Sequence, residues 1–596
     1  MFATIDIIII AIFFLIVIGI GFVASRTAGK DSAEFFLSGR KMPWWLLGVS
    51  MVACTFSADT PNLVTDIVRN NGVAGNWVWW AFLFTGMLTV FVYAKLWRRS
   101  EVMTDLEIYE IRYSGKLASF LRGFRSIYLG LFFNVMIMGT VSLAAIKIGE
   151  VMFGFDKYTT MIVASTAVVI YATLGGLKGV IWADFFQFGI AMIGSIIAAV
   201  VALDQPEVGG LTGLINNPSI QDKLSIFPDF SNSEVLIPLF VIPIAIQWWN
   251  VWYPGAEPGG GGYIAQRMLS AKDEKNAVGA TLLFNIAHYA LRPWPWIIVG
   301  LCSLILYPNL SDIHTQFPNI SDQYLKDDIA YPVMMTLLPK GLFGLVVASL
   351  VAAYMSTIGT HLNWGSSYIV NDFYRRFVKP EASEKELVRV GRLLTVVLMV
   401  LAAVVALWLQ NAKQAFDILL QIGAGTGLIF ILRWFWWRIN AYTEISAMII
   451  SFVVAVLFQF ALPEVKNCAD PEWWQMAHWQ LVMGIIVTTI TWVTVTYLTK
   501  PTDQETLKGF VKLTRPGGPG WTRINKELEN EGHPRIENNL PIEILLMFIG
   551  VFTVYAVLFS VGFWIYANVV GTVISSLVAI IGTGFLIKLT GKLKFS

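Results

Sequence analysis

The feature that most constrains this chain is a series of apolar stretches, each about 20 residues or longer, that runs almost from end to end. A stretch of that length crosses the roughly 30 Å hydrocarbon core of a bilayer as a helix. Of the 596 residues, 56% are hydrophobic and 14% are charged, whereas a soluble domain carries about a quarter charged residues. The sequence therefore predicts an all-α membrane protein whose main environment is the lipid bilayer.

About fifteen such stretches can be delimited, and we call them spans 1 to 15 in chain order. Span 1 has no positive charge in its leader and many spans follow it, so we interpret it as a membrane helix rather than a signal peptide. The fifteen spans are residues 5–25, 43–69, 75–97, 124–150, 157–175, 180–203, 234–254, 276–307, 341–371, 388–409, 413–435, 441–462, 476–498, 541–565 and 567–589. Almost nothing separates the last two spans, so the count is uncertain by one.

The basic residues predict the orientation. Most of the 42 Lys and Arg residues fall on alternate loops, and basic loops favour the cytoplasmic face. We therefore expect a multi-pass protein of the plasma membrane with its N-terminus outside and its C-terminus in the cytoplasm. The polar insert at 499–540 then faces the cytoplasm.

Several classes of protein are disfavoured by composition. The net charge is only +2, which argues against a nucleic-acid partner. Three cysteines imply no disulfide framework, and none of the five histidines has the spacing of a zinc protease. We expect no enzymatic activity, and the sequence does not indicate an oligomeric state.

Span 2 is interrupted near its centre by Ala53-Cys-Thr-Phe-Ser-Ala-Asp-Thr-Pro61. An unpaired charge at bilayer depth is costly and usually belongs to a pore, a relay or a binding site. Backbone groups freed by a proline are tolerated there only inside protein or along a cavity. The alternative is a tolerated proline kink whose hydroxyls bond back to the helix.

Span 7 is interrupted as well, by two prolines and five glycines between Pro254 and Gly262. Two broken spans at matching places in two halves of a chain indicate a transporter with inverted repeats. Spans 2 and 7 are five apart, which predicts a 5+5 core. Its divisions would be 1–40 with the leading helix, 41–203 and 234–438 as the repeats, 204–233 as an outer loop, and 439–596 with about four trailing helices. An ordinary helix end followed by a flexible loop is the alternative at span 7.

Span 9 carries a hydroxyl cluster, Ser356-Thr357 with Thr360, at about the same depth as the interruption in span 2. Hydroxyl oxygens and carbonyls freed by a helix break suit a small hard cation, and transporters with broken helices bind Na⁺ in this way. Close packing of small residues is the alternative explanation of the cluster.

Four motifs then resemble the sodium/solute symporter family. They are Tyr171-Ala-Thr-Leu-Gly-Gly-Leu-Lys-Gly-Val-Ile-Trp-Ala-Asp-Phe-Phe-Gln187, Glu34-Phe-Phe-Leu-Ser-Gly-Arg-Lys-Met-Pro-Trp-Trp45, the pair Gln266-Arg267, and Asn371-Asp-Phe-Tyr374. The similarity covers roughly residues 1–440. It implies an inverted 5+5 repeat fold and sodium-coupled alternating access, with sugar-transporting relatives.

The resemblance also implies a sodium site, with the sodium ion as the coupling ion. Its ligands would be the carbonyls of Ala53 and Phe56 in span 2, and the Ala353 carbonyl with the Ser356 and Thr357 hydroxyls in span 9.

A second sodium site of some relatives uses an aspartate that matches Asp184 and two further hydroxyls. Those hydroxyls match Gly359 and Thr360 here, so one is missing. Asp184 and Thr360 are therefore candidates either for a second sodium or for the path by which the ion leaves.

Solute contacts are implied by position. Asp59 and Thr60 directly follow the residues whose carbonyls would bind sodium. His288 matches a lysine of sugar-transporting relatives, and Arg292 lies one helical turn after it. Gln421 matches a glutamine in the last core helix of those relatives.

Alignment is ambiguous in span 7, where Asn250, Gln247 and Glu257 are candidates. The predicted function is sodium-coupled import of a small polar solute, a sugar or a sugar-like compound. The alternatives are a transporter-like solute sensor, a channel, or a symporter for an amino acid, an amino sugar or a carboxylate.

Overall fold

The computed structural model describes residues 3–28, 30–250, 257–318, 320–409, 426–458, 476–593 and 595. Within these residues the backbone is almost entirely helical and contains no β-strand. The only pairing of extended backbone there is an isolated parallel bridge between Met42 and Ala271. The all-α prediction is therefore confirmed.

Ten helices of the described residues are long and apolar enough to cross a membrane. They are Thr4–Arg26, Val73–Ser100, Lys116–Phe153, Lys157–Leu203, Glu274–Leu306, Leu342–Val378, Glu384–Trp408, His478–Leu498, Leu540–Ile565 and Val569–Thr590. Shorter apolar helices are Trp44–Cys54, Ser233–Ala245 and Ala441–Val456. These helices account for fourteen of the predicted spans, and span 11 is described only from residue 426, with the helix Gly427–Leu432.

The 47-residue helix Lys157–Leu203 contains spans 5 and 6, because its backbone leaves helical geometry at Gly176, with φ 53° and ψ −160°. The Tyr171 hydroxyl donates to the Met355 carbonyl before this point, and Asp184 accepts from Ser356 after it. In a continuous helix the 13 residues from Tyr171 to Asp184 would separate these two contacts by about 20 Å. Their partners, Met355 and Ser356, are instead neighbours in span 9. The chain therefore turns back at Gly176 and crosses twice, as the two-span prediction requires.

Span 2 consists of two helices, Trp44–Cys54 and Asp59–Asn71, separated by non-helical residues 55–58. The break lies where the sequence predicted it. Pro61 lies in the first turn of the second helix, where the backbone N–H that proline lacks would have no helical partner anyway. The proline therefore starts the second half rather than kinking a continuous helix.

Span 7 is broken too. The helix Ser233–Ala245 and a short turn at Gln247–Trp249 precede the break, and the helix Gly262–Ser270 follows it. Gly259 and Gly260 adopt φ of 89° and 76°, a region that favours glycine. Every residue of Gly262–Ser270 is buried, so this segment is a packed second half and not a flexible loop.

The helices outside the two repeats pack around them. Span 14 is fastened to span 3 by a buried ion pair between Lys95 and Glu543, and by the Tyr555 hydroxyl, which donates to the Trp80 carbonyl over 2.8 Å. Span 15 is peripheral and its apolar side chains, such as Ile580, are largely exposed, as expected of a surface that faces lipid. The repeat boundaries at 41–203 and 234–438, and the other divisions of the chain, stay predictions.

The insert at 499–540 forms two helices, Gln504–Thr514 and Thr522–Asn530. Leu507, Phe510 and Val511 are buried on the first helix, and the fully buried Trp521 donates its indole N–H to the Trp434 carbonyl over 2.7 Å. The insert is thus docked on the end of span 11.

Candidate functional site

The break in span 2 meets the hydroxyl cluster of span 9. The Thr357 hydroxyl donates to the Cys54 carbonyl over 3.2 Å, and both Ser356 and Thr357 are buried. Ala353 lies one helical turn before them and shares their face of the helix. The five predicted sodium residues therefore lie in one buried neighbourhood, and carbonyl and hydroxyl oxygens are ligands that suit Na⁺.

Freed backbone carbonyls at the end of the helix Trp44–Cys54 have identifiable partners. The Ala53 carbonyl accepts from the Phe56 N–H over 3.0 Å, and the Cys54 carbonyl accepts from Thr357. The Thr55 N–H also donates to the Ala53 oxygen, so both carbonyls at this helix end are engaged, one by the backbone of the break and the other by span 9.

Asp184 lies beside the same hydroxyls and is completely buried. One carboxylate oxygen accepts from Ser356 over 2.6 Å. The other accepts from the Ser50 hydroxyl and from the Arg267 guanidinium, the latter over 3.2 Å. Asp184 therefore joins four elements: spans 2, 6, 7 and 9.

Arg267 is the main residue that the sequence reasoning missed at this place. Its Nε donates to Ser50 over 2.8 Å and its Nη2 donates to Thr360 over 2.8 Å. The guanidinium is fully buried and holds oxygen atoms that a second sodium would need. The sequence did contain a signal for this residue, because the Gln266-Arg267 pair is one of the four family motifs, but the motif alone did not indicate a role for Arg267.

Gly359 leaves no room for the missing hydroxyl of the second site. A Cβ atom at this position would lie 1.9 Å from the Tyr171 hydroxyl oxygen, closer than any real contact. The Tyr171 hydroxyl is itself committed to the Met355 carbonyl.

Asp59 and Thr60 begin the second half of span 2. The Thr60 hydroxyl accepts from the Ser57 N–H over 3.2 Å and so stabilises the start of that helix. The Asp59 Oδ1 atom is buried and has no hydrogen-bond partner among the described residues. Asp59 therefore keeps an acceptor available, whereas the Thr60 hydroxyl is engaged locally.

His288 and Arg292 contact the break in span 2 rather than Asp59. The His288 Nδ1 atom is 3.1 Å from the Thr55 hydroxyl oxygen, and the Arg292 Nη1 donates to the Val52 carbonyl over 3.3 Å. The His288 ring also packs against Trp79, with centroids 5.9 Å apart. Thr55 and Trp79 were not predicted, and no sequence signal marked Trp79.

The candidates of span 7 separate into two groups. Gln247 donates to the Val78 carbonyl over 2.7 Å, next to Trp79. Asn250 is fully buried, and neither polar atom of its amide has a partner in the described part of the chain. Gln247 and Asn250 therefore remain candidates for the solute site.

Glu257 is placed in a different cluster. Its carboxylate pairs with Arg433 at 2.8 Å and with Arg125 at 3.5 Å, two residues that no sequence pattern linked to it. Because both oxygens are neutralised by guanidinium groups, Glu257 does not join the solute candidates. Gln421 lies outside the described residues.

The chain also resembles known proteins. The sequence pattern of the Sodium:solute symporter family matches residues 35–451. The chain is 25% identical over 477 residues to the sodium/glucose cotransporter of Vibrio parahaemolyticus, covering 76% of this chain and 85% of that protein. It is 26% identical to sodium/glucose cotransporter 1 of Oryctolagus cuniculus, covering 83% and 79%, and 25% identical to sodium/myo-inositol cotransporter 2 of Mus musculus, covering 86% and 79%.

One solved structure has the same fold. It is a Na⁺-coupled sialic acid symporter, which is 19% identical and has a TM-score of 0.66, covering 84% of this chain and 100% of that one. The inverted-repeat transporter fold predicted from spans 2 and 7 is thereby confirmed. Together with a family match that extends over more than half of the sequence, it shows that the chain belongs to the sodium:solute symporter family and is a sodium-coupled symporter.

Proposed function

We propose that this symporter imports a sugar or a sugar-like polyol together with one sodium ion. The observation that carries the solute class is that the Asp59 carboxylate oxygen and the Asn250 amide, one at each helix break, are buried and have no hydrogen-bond partner within the described residues. Buried polar groups need hydrogen-bond partners, and sugar hydroxyls both donate and accept. Relatives named for glucose and myo-inositol support the same class.

Sodium would bind between the break in span 2 and span 9. Its proposed ligands are the carbonyls of Ala53, Phe56 and Ala353 and the hydroxyls of Ser356 and Thr357. Binding there would tether the two spans and shape the solute site at Asp59, and the repeats would then rock to open the opposite side.

A single sodium ion is proposed because Arg267 already supplies a positive charge to Asp184 and Thr360. One charge moved inward releases roughly 2.3 kcal/mol per 100 mV. At about 1.4 kcal/mol for a tenfold ratio, this sustains a solute gradient of roughly 40-fold before any sodium gradient is added.

The proposed orientation places the N-terminus outside the cell and the C-terminus and the insert 499–540 in the cytoplasm of the plasma membrane. Its support is the concentration of Lys and Arg on alternate loops. A transporter-like sensor would bind the solute without accumulating it.

A thermal-shift screen tests the solute class with the purified protein. Sugars, polyols, amino sugars, amino acids and carboxylates would be added with and without sodium, and sugars or polyols are expected to raise the unfolding temperature only with sodium. Uptake of the best compound into liposomes then distinguishes a symporter from a sensor. A shift confined to amino acids or carboxylates would refute the solute class.

Asp59→Asn tests the proposed solute contact. It keeps the size of the side chain but removes the charge, so we expect it to weaken solute binding more than sodium binding. A change in sodium binding alone would move Asp59 to the ion site. Asp66→Asn, two turns along the same helix, is the matched control.

A further inference from the structure

Thr55 lies in the break of span 2, between the two proposed carbonyl ligands of that span, Ala53 and Phe56. Its hydroxyl oxygen is 3.1 Å from the Met51 carbonyl and 3.0 Å from the Val52 carbonyl. A hydroxyl has one hydrogen to donate and two lone pairs that accept. The Thr55 hydrogen can go to only one acceptor at a time, and an N–H group near Thr55 can donate to its oxygen.

The contacts of His288 determine its tautomer. The Nδ1 atom is 3.1 Å from the Thr55 hydroxyl oxygen. The Nε2 atom is 3.1 Å from the Arg292 Nη2, and a guanidinium only donates, so Nε2 accepts. His288 is thus a neutral imidazole with its hydrogen on Nδ1, which donates to Thr55, and both ring nitrogens are engaged inside the protein.

This engagement leaves the ring no nitrogen for a solute. The faces and edges of the ring are covered as well, by Phe284 at 5.3 Å, Tyr289 at 4.4 Å and Trp79 at 5.9 Å between centroids. The role expected for His288 from the matching lysine of sugar-transporting relatives does not fit these contacts.

Arg292, which also lies on span 8, contacts the break in span 2 as well. It is 1% exposed, and its Nη1 lies 3.3 Å from the Val52 carbonyl and 3.4 Å from the Thr55 hydroxyl. The guanidinium also packs on Trp296, 5.4 Å from the ring centroid. Trp296 in turn contacts the ring of Phe56, with centroids 4.8 Å apart.

We infer that Thr55, His288 and Arg292 form a polar bracket that holds the break of span 2 against span 8 and fixes the Ala53 and Phe56 carbonyls for sodium. His288 and Arg292 are then positioning residues for the ion and not contacts of the solute. The inference rests on the proposed sodium ligands.

The second half of span 2 is fastened to the same helix. The Arg69 guanidinium donates to the carbonyls of Ser303 and Tyr307, over 3.1 Å and 3.0 Å. Both halves of span 2 therefore contact span 8, the first half through Thr55 and Val52 and the second half through Arg69.

The test uses sodium alone as the probe. Purified full-length protein is titrated with sodium chloride against choline chloride, and the rise in unfolding temperature gives the half-saturating sodium concentration. Thr55→Val keeps the shape of the side chain but removes the acceptor, and we expect half-saturation at about tenfold more sodium, equal to about 1.4 kcal/mol. Thr55→Ser keeps the hydroxyl, so its half-saturating sodium concentration should stay within about twofold of the wild-type value. The tenfold change expected for Thr55→Val corresponds to the loss of one hydrogen bond to a charged group, here Arg292.

A second pair covers the case in which Thr55→Val does not fold. His288→Gln retains a donor and an acceptor, whereas His288→Leu retains neither, so the same contrast in sodium response is expected. Equal effects within a pair, or no effect in either pair, would overturn the bracket.

Ser356→Ala combined with Thr357→Ala is the reference, and it should lose the sodium response. If the reference behaves as expected and the bracket variants do not, the bracket is wrong and the sodium ligands stand. A wild-type response in the reference overturns the ligand assignment and the bracket with it.

Discussion

The ion pair between Asp184 and Arg267 offers the sharpest energetic prediction. Both side chains are fully buried, and the charged atoms are 3.2 Å apart. At an effective dielectric constant of about 20, two charges at that distance attract by about 5 kcal/mol. Breaking a buried pair by removing one partner typically costs about 3–5 kcal/mol, since the remaining charge is left uncompensated.

A double-mutant cycle measures this coupling. Asp184→Asn preserves the shape of the side chain and an acceptor for Ser356, and Arg267→Met removes the charge while preserving much of the packing. Each single variant should lose about 3–5 kcal/mol of stability, and the double variant should lose clearly less than the sum. Unfolding of the purified protein, followed by tryptophan fluorescence in mixed micelles, gives the four free energies.

The exposed pair Arg523–Glu527 is the matched control. Its side chains are 61% and 27% exposed, and such surface pairs couple by less than about 1 kcal/mol. A coupling between Asp184 and Arg267 no larger than that of the control would refute the claim that this pair is a strong internal connection of four spans.

Three further outcomes are expected. Asp327→Asn breaks an ion pair between span 2 and the segment that joins spans 8 and 9. A membrane-impermeant maleimide should then label the buried Cys302 faster than in the wild type, after subtraction of the background measured with Cys302→Ser. Unchanged labelling would contradict this. Gly359→Ala should lower the unfolding temperature because its Cβ would meet Tyr171, whereas Gly189→Ala has no atom within 4 Å and should not; equal effects would count against this packing. The ratio of charge to solute transported under voltage clamp should be one, and a ratio of two would require a second sodium ion.

The sequence located the helix breaks because proline, glycine and hydroxyl residues in apolar stretches have local physical consequences. The sequence also predicted that Ser356 and Thr357 lie at the same depth in the membrane as the break in span 2. The partner of Asp184, however, is 83 residues away at Arg267, and no local pattern specifies which cation a buried carboxylate meets.

Glu257 is a second residue whose partners could not be predicted from the sequence. As a carboxylate beside a helix break it was a reasonable solute candidate, but Arg433, 176 residues later, neutralises it. The contacts of His288 likewise depend on span 2, more than 230 residues earlier. Such pairings follow from how the helices pack, and a single sequence carries no direct record of that packing.

The sequence predicted that the polar residues 499–540 form an insert on the cytoplasmic side. The apolar residues of its first helix nevertheless lie on one face, at Leu507, Phe510 and Val511, which is the spacing of a helix that packs on a surface. The pattern was present in the sequence, but the surface that it covers, at Trp434, was not predictable from it.

The central claim is that sodium bound between the break of span 2 and span 9 drives solute accumulation. The most direct test compares wild type and the Ser356→Ala/Thr357→Ala double variant in liposomes, at equal protein incorporation, with an inward sodium gradient and the solute found by thermal shift. We expect wild type to accumulate the solute only with sodium, and the double variant to show no sodium-dependent uptake while remaining folded. Normal sodium-dependent uptake by the double variant would contradict the account.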